Sequence, residues 1–467
     1  MGTLTGLLYL SQNSLEANQA ALDITSNNVA NANTPGYSNE VATWHELDRV
    51  SLSRNSASGM GATVSALSQR NPVLNQRVQQ QTQAVAASSS EGTALADLQS
   101  IFGLSSNSSA SASTTLGTDI NAFFNSFSAL QASPSNVSVR QGVLSAAATL
   151  ATNFNSAASA IAQQTGSLNQ QATGIVSNIN SLLTSIAQLN VQITGASPNA
   201  DAGTLEDQRQ QDLTQLSSLV GFDQIKTENN GLTLTAANGQ PLVSEGKAFP
   251  LSTSLVSGNV HIVGASGVDI TATLTGGQLG GILTARDRDL PQASAALDSL
   301  AYSIGSAVNT QNQAGLDANG NPGGVIFSLP VSSSGAASAI SPATLDPNAI
   351  AAAATNEGAN GGTNAAALLA IANSNAIGGQ TATSFFAGFL TQLGSKVAQV
   401  QQENTTQQGS LTQLVAQQSA QSSVSLDQEA ANLTMYERSY AAAAKVFSIV
   451  DQMMAVALNL GVQTTVS

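Results

Sequence analysis

Residues 433–457 carry an apolar or aromatic side chain at every position of a strict 3-4 repeat. The stripe runs Leu433, Tyr436, Tyr440, Ala443, Phe447, Val450, Met454 and Ala457. Such spacing draws a narrow seam along one face of an α-helix, and a helix of this kind is marginal in water without a partner. Asp427, Glu429, Glu437, Arg438, Lys445 and Asp451 fall off the seam, so the pattern predicts a helix over Leu426–Leu460 with Leu458 near its end. The other end of the chain offers the partner. Leu4–Val29 reads as a helix whose seam is Leu4, Leu8, Ser11, Leu15, Asn18, Leu22, Thr25 and Val29. Leu8, Leu15, Leu22 and Val29 repeat at heptad spacing, while the other row is mixed. The C-terminal helix is therefore expected to supply most of the apolar drive, and the N-terminal one to fix register.

Between these ends the pattern is mostly helical. A long candidate starts at Pro134–Ser135 and runs to Ile193, with Leu168, Ala172, Ile175, Ile179, Leu182, Ile186, Leu189 and Ile193 at 3-4 spacing. Unbroken, it would be roughly 85 Å long. Gly166 and Gly174 each cost about 1 kcal/mol relative to Ala and mark a candidate break. Further helices are expected at Pro72–Phe102, Thr204–Val220, Leu279–Gln313 and Thr381–Ser422. Over Gly221–Gly277 the period becomes two, in Leu232–Thr235, Val260–Val263 and Ile270–Leu274. Turn signals Asn229-Asn230-Gly231, Asn238-Gly239 and Ser257-Gly258-Asn259 punctuate it. The polar stretches Ser105–Thr115 and Val331–Thr363 read as loops or mobile surface. The expected class is mainly α with an inserted β domain, the terminal helices paired as a coiled coil. Its expected parts are residues 1–36 with 425–467 (terminal domain), 37–220 with 278–424 (helical body, irregular over 331–363) and 221–277 (β insert).

Composition narrows function by exclusion. The 467 residues suffice for roughly two to four domains. Only 9% are charged, against about 25% in an ordinary soluble domain, so little repulsion holds copies apart. The net charge of −14, with no Lys/Arg patch, argues against nucleic acid. Cysteine is absent, which removes disulfides and thiolate metal sites. No basic n-region precedes an apolar run at the N-terminus, and the first Lys or Arg is Arg49. No segment holds about 18 continuous apolar residues, so membrane insertion is not expected.

Catalytic and cofactor signals are equally absent. Asp317, Asn319 and Asn321 have the 1-3-5 spacing of a calcium loop, but Pro322 and Ser328 occupy the positions that need Gly and Glu. A tight turn is the preferred reading. His45 and His261 are the only histidines and read as surface or packing residues. No P-loop, nucleophile elbow or dinucleotide fingerprint occurs. Arg286-Asp287-Arg288-Asp289 reads most simply as a solvated helix face, and Trp44 as packing or interface. No enzyme activity, cofactor or metal is expected.

Ser26-Asn27-Asn28-Val29-Ala30-Asn31-Ala32-Asn33-Thr34-Pro35-Gly36-Tyr37 resembles the N-terminal signature of the flagellar axial proteins, the rod, hook and hook-associated family. Tyr436–Val446 and Ala457–Leu460 are similar to that family's C-terminal motif. The interior segments Leu205–Arg209, Asn238–Val243, Gly276–Leu283 and Asn309–Gly324 are similar to its hook-associated junction branch. Ser38-Asn39 departs from the basic residue usual near the signature Tyr. The resemblance implies a non-enzymatic structural protein at the hook-filament junction of the bacterial flagellum, exported by the flagellar type III route and found outside the cell. It implies self-association in a ring, with the hook protein and the second junction protein as neighbours and an export chaperone before assembly. Assembly would run through Leu4, Leu8, Leu15, Leu22, Val29, Asn27, Asn28, Asn31, Asn33, Gly36, Tyr37, Leu433, Tyr436, Tyr440, Phe447, Val450, Met454 and Leu458. A hook or distal rod protein is the alternative within the family; a secreted adhesin or membrane-active effector is the alternative outside it.

Overall fold

The computed structural model describes residues 2–34, 36–47, 50–53, 56–58, 61–103, 115–196 and 203–462. The chain opens with helix α1 (Gly2–Asn31). Strands β1 (Glu40–Glu46), β2 (Val50–Ser53), β3 (Ser56–Ser58) and β4 (Ala62–Ser68) follow. β1 and β4 pair antiparallel from Glu40↔Ser68 to Glu46↔Ala62, and β2 pairs with β3 inside their connection. This hairpin is missing from the sequence expectation because β1 and β4 are nowhere fully buried and alternate only weakly.

Helix α2 (Pro72–Ile101) starts cleanly. Asn71 Oδ1 accepts from the Leu74 N–H, and Pro72 stands where its missing N–H costs nothing. After α3 (Thr115–Ala132), α4 (Val137–Ala196) runs 60 residues without a break, about 90 Å. Gly166 and Gly174 do not interrupt it. Both lie on its exposed side, and a Cβ there would meet nothing within 4 Å. The periodicity Ile120, Phe123, Phe127, Leu130 marks α3, which the sequence reading passed over. These side chains are fully buried, with Phe123 5.2 Å from Phe127 and 5.3 Å from Phe327 between ring centres.

Helix α5 (Thr204–Leu219) leads into β5 (Asp223–Lys226), β6 (Leu232–Thr235), β7 (Pro241–Ser244) and β8 (Lys247–Ala248), which form one antiparallel sheet in that order. A second hairpin pairs β9 (Ser252–Val256) with β10 (Asn259–Val263). Three asparagines on α4, spaced ten or eleven apart and so on one face, hang this β insert on the helix. Asn190 Nδ2 donates to Leu232 O at 2.7 Å. Asn180 exchanges two 2.8 Å bonds with the Leu251 backbone, and Asn169 holds Gly258 O and Val260 N at 3.0 Å. The strand expected at Ile270–Leu274 is instead a single 3-10 turn, Thr271–Thr273. Asp269 Oδ1 accepts from both the Thr271 N–H and its hydroxyl, at 2.9 and 2.6 Å, which curls the chain while Ile270 and Leu274 stay buried.

The return runs α6 (Gly277–Thr284), a π-helical turn (Ala285–Asp289) and α7 (Leu290–Gln313). Pro291 has no N–H for the Asp287 carbonyl, which accounts for the wide turn. The reading of residues 286–289 as a solvated face holds for Asp287 and Arg288, which are exposed, but not for Arg286 and Asp289, which are buried. Arg286 is 1% exposed, with Nη1 donating to Asn169 Oδ1 at 3.0 Å and to Val260 O at 2.5 Å. Short elements follow: β11 (Phe327–Ser328), α8 (Ala336–Ala339), β12 (Ser341–Pro342) and α9 (Thr363–Ala370). Residues 331–363 are irregular yet packed, since Ile340, Ile350, Ala351, Ala352 and Ala353 are fully buried. The loop expected at 105–115 lies outside the described residues except Thr115. Asp317 Oδ1 caps a turn by accepting from the N–H groups of Asn319 and Asn321, both at 2.8 Å.

Two long helices close the chain, α10 (Ala382–Ser422) and α11 (Leu426–Val462). α10 packs antiparallel on α2. Phe102 meets Phe389 at 5.0 Å at one end, while Asn75 accepts from Gln418 at 2.7 Å and Asn71 donates to Gln421 at 3.1 Å at the other. The body is thus apolar far from the chain ends and amide-zipped next to them.

Candidate assembly interface

α1 lies between α11 and the β1–β4 hairpin. The end of α1 and the start of α11 are fastened at one place, because the Asn39 N–H donates to Ser422 O at 2.9 Å. The two helices therefore run antiparallel. On α11, Val450 is 4% exposed, and Leu433, Tyr436, Phe447 and Met454 are half-buried. Tyr440 and Leu458 stay exposed. On α1, Leu4, Leu8, Leu15 and Leu22 are half-buried and Val29 is exposed. The most buried positions of α1 are instead Ser11, Ala17, Asn18, Ala21, Ile24, Thr25 and Asn28. Polar seam residues survive burial by bonding their own helix: Ser11 Oγ donates to Leu7 O at 2.8 Å, and Asn18 Nδ2 to Ser14 O at 2.7 Å. Trp44 of the hairpin sets its ring 6.3 Å from Tyr436, so the hairpin also touches α11.

The Asn-rich signature forms a latch. Asn28 is 0% exposed. Its Nδ2 donates to Glu40 O at 2.7 Å, and its Oδ1 accepts from the Glu40 N–H at 3.0 Å and the Tyr37 hydroxyl at 2.9 Å. Asn31 and Thr34 build the intervening turn, with Thr34 N–H donating to Asn31 O at 2.9 Å and Tyr37 N–H to Thr34 O at 3.2 Å. Gly36 has φ +82°, a left-handed conformation that favours glycine, and a Cβ would press on Gln211. Asn27 and Asn33 are exposed, though Asn27 O accepts from Asn31 Nδ2 at 3.0 Å.

The latch continues into the body. Ser38 donates to Asp207 from its N–H at 3.2 Å and its hydroxyl at 3.0 Å. Arg70 holds Glu206 at 2.5 Å, Asp207 at 3.0 Å and Gly203 O at 2.7 Å. Burial, then the charges of Glu40, Asp207 and Glu429, push the Tyr37 phenol up to about 12. Ser38, Arg70, Asp207 and the buried Glu429 were missed as site residues, whereas Trp44 stands where a packing or interface residue was expected. Nothing in local spacing links positions 38, 70 and 207, although Asp207 belongs to a segment that carries the resemblance.

A second stripe on α11 is left uncovered by the described residues. Met435, Ser439, Ala442, Val446, Ile449, Met453 and Val456 repeat at 4-3 spacing, and all are exposed. Val446, Ile449, Met453 and Val456 are 48–60% exposed, and Leu7, Tyr9 and Leu10 of α1 add to the apolar surface. An 18-residue window within 382–458 has mean hydropathy 1.5, long and apolar enough to cross a membrane, with 6% of it buried. The expectation built on continuous apolar runs did not register it, because scattered polar residues interrupt the run without lowering the mean. Among the described residues no cluster of three or more His, Asp or Glu could hold a metal ion.

Comparisons with known proteins meet on the same parts of the chain. Residues 8–37 match the family model of the flagella basal body rod protein, and residues 416–460 match the C-terminal model of the flagellar basal body rod FlgEFG protein. Both of those models are named for rod proteins. Residues 104–327 match the helical domain of flagellar hook-associated protein FlgK. That match makes the chain similar to the flagellar hook-associated protein 1 family. Flagellar hook-associated protein 1 of Salmonella typhimurium is 25% identical over 564 aligned positions, covering 98% of this chain and 100% of the relative. The positions outnumber the chain's 467 residues, so the relative carries segments absent here. The Escherichia coli protein of the same name is 29% identical over 70% of this chain and 60% of its own length. The structure of the flagellar hook junction protein FlgK from Burkholderia pseudomallei matches with TM-score 0.67 at 22% identity, covering 74% of this chain and all of that one. That likeness supports the mainly helical fold with its β insert.

Proposed function

We propose that this chain is a structural subunit of the hook-filament junction, and that it assembles through the paired helices α1 and α11. The observation that carries the reading is the outward stripe Val446, Ile449, Met453 and Val456 beside a seam that α1 partly covers. A helix pair that partly covers one seam and leaves a second open at heptad spacing is built for further helices. Residues 1–36 with 425–467 act as the assembly module, 37–220 with 278–424 as the body, and 221–277 as an outward spacer. The subunits form a ring between the hook protein and the second junction protein, after export that a chaperone precedes. The latch from Asn28 to Asp207 and Arg70 fixes the angle between module and body. The role is structural, with no catalytic step.

Deleting residues 426–467 tests this. The fragment is expected to be folded and soluble, and its cells to release filament protein without building filaments. Normal filaments would overturn the proposal. The apolar window of α11 also favours a membrane-active reading. Interfacial helices usually carry several Lys and Arg along the polar face, whereas residues 1–48 contain neither, and α11 sets only Arg438 and Lys445 against Asp427, Glu429, Glu437 and Asp451. Tight binding of the full chain to anionic liposomes would favour the membrane; no binding favours assembly.

A further inference from the structure

A cavity of about 450 Å3 opens between the start of α2, α5 and strands β5 and β6. In a chain with 13 basic and 27 acidic residues, three of the basic ones, Arg70, Arg209 and Lys226, line this one cavity beside a single acid, Glu206. Arg70 is engaged by Glu206 and Asp207. Arg209, 9% exposed, donates from Nη1 to Asn190 Oδ1 at 2.9 Å and Asn230 O at 2.7 Å, both neutral acceptors. Lys226 is exposed on β5. Leu67 and Val73, 55% and 62% exposed, form an apolar rim. A cationic floor with an apolar rim suits a carboxylate presented next to an aliphatic side chain.

We infer that this cavity receives the Asp427 carboxylate of a second copy of this chain, with Leu426 packing on the rim. Leu426 is 54% exposed and Asp427 is exposed beside it at the start of α11. The cavity shares Arg70, Asn75 and Gln210 with a larger groove of about 960 Å3 that reaches Ser423 and Val424. Pocket and acid therefore sit at one level of the molecule, where α1 ends and α11 begins. Rotation about a ring axis brings features of equal level on neighbouring subunits face to face. Two different patches meeting head to tail make a contact that can close a ring. The net charge of −14 gives each copy a surplus of carboxylates and a shortage of places to neutralise them.

The inference rests on the ring assembly proposed above, and its test separates the two. In cells lacking the chromosomal copy, Lys226→Glu and Asp427→Lys should each lower filaments per cell about tenfold. Combining them should restore most of the loss. The chain has no cysteine, so Lys226→Cys with Asp427→Cys reports proximity cleanly even if a charge variant misfolds. An ion pair with a long lysine spans more than a disulfide's Cα separation, so a short bismaleimide is the probe. Linked multimers are expected from isolated flagella carrying both cysteines, and none from either alone. Normal filaments with the single charge variants, a double variant no better than the singles, or an absent ladder in a strain that builds filaments would overturn the pocket contact and leave the junction role standing. Filaments built without the chain would remove the junction role itself.

Discussion

Replacing Asn28 with alanine should unfasten the β1–β4 hairpin from α1. The side chain is fully buried and makes three hydrogen bonds, two to the Glu40 backbone and one to the Tyr37 hydroxyl. Each is worth about 1 kcal/mol net, and alanine leaves the Glu40 N–H and C=O without their partner, so the loss is about 3 kcal/mol. That corresponds to roughly a 100-fold rise in local opening. Amide hydrogen exchange across residues 40–46 and 62–68 reads it directly. Tyr37→Phe removes one bond of the three and should raise exchange about fivefold. The double variant should exchange like Asn28→Ala alone, because the tyrosine's acceptor is already gone. Exchange in Asn28→Ala within about threefold of the parent would refute the latch.

Other outcomes follow from the same geometry. Gly166→Ala and Gly174→Ala should each stabilise α4 by about 1 kcal/mol, read by urea unfolding, since both sites are open and helical. Arg286→Met should cost about 2 kcal/mol in the same assay, chiefly by orphaning Val260 O. The Tyr37 phenol is raised from 10 to about 12, so its contribution to stability is complete below pH 10 and is lost as pH rises to about 12. Tyr37→Phe should flatten the stability profile over that window and leave its slope unchanged below it.

The terminal helices and the β insert were legible because each repeats a single period over many residues, 3-4 at Leu433–Ala457 and two at Leu232–Thr235. The hairpin at 40–68 was not, because its side chains are half exposed on both faces and its pairing with α1 depends on Asn28, twelve residues from Glu40. Ile270–Leu274 has a strand's alternation, but Asp269 captures Thr271 and turns the chain. Arg286 looked solvated among alternating charges, and its burial depends on acceptors distant in sequence, Asn169 Oδ1, 117 residues away, and the Val260 carbonyl, beside its neighbour Asp287. Of the α11 seam read from spacing, Val450 is buried, Leu433, Tyr436, Phe447 and Met454 are half-buried, and Tyr440 stays exposed. The deepest face of α1 was not readable, since small and polar residues fill it: Ser11, Ala17, Asn18, Ala21 and Thr25. Contacts such as Ser38 with Asp207 join positions that no local rule connects.

If α1 and α11 form the assembly module, the second stripe of α11 is buried only on assembly. Amide exchange across residues 435–456 tests it most directly, compared between the full chain shown to be monomeric by sedimentation and the chain in isolated flagella. Rapid exchange is expected in the monomer and strong protection in the assembled state. Strong protection in the monomer, or equal exchange in both, would contradict it.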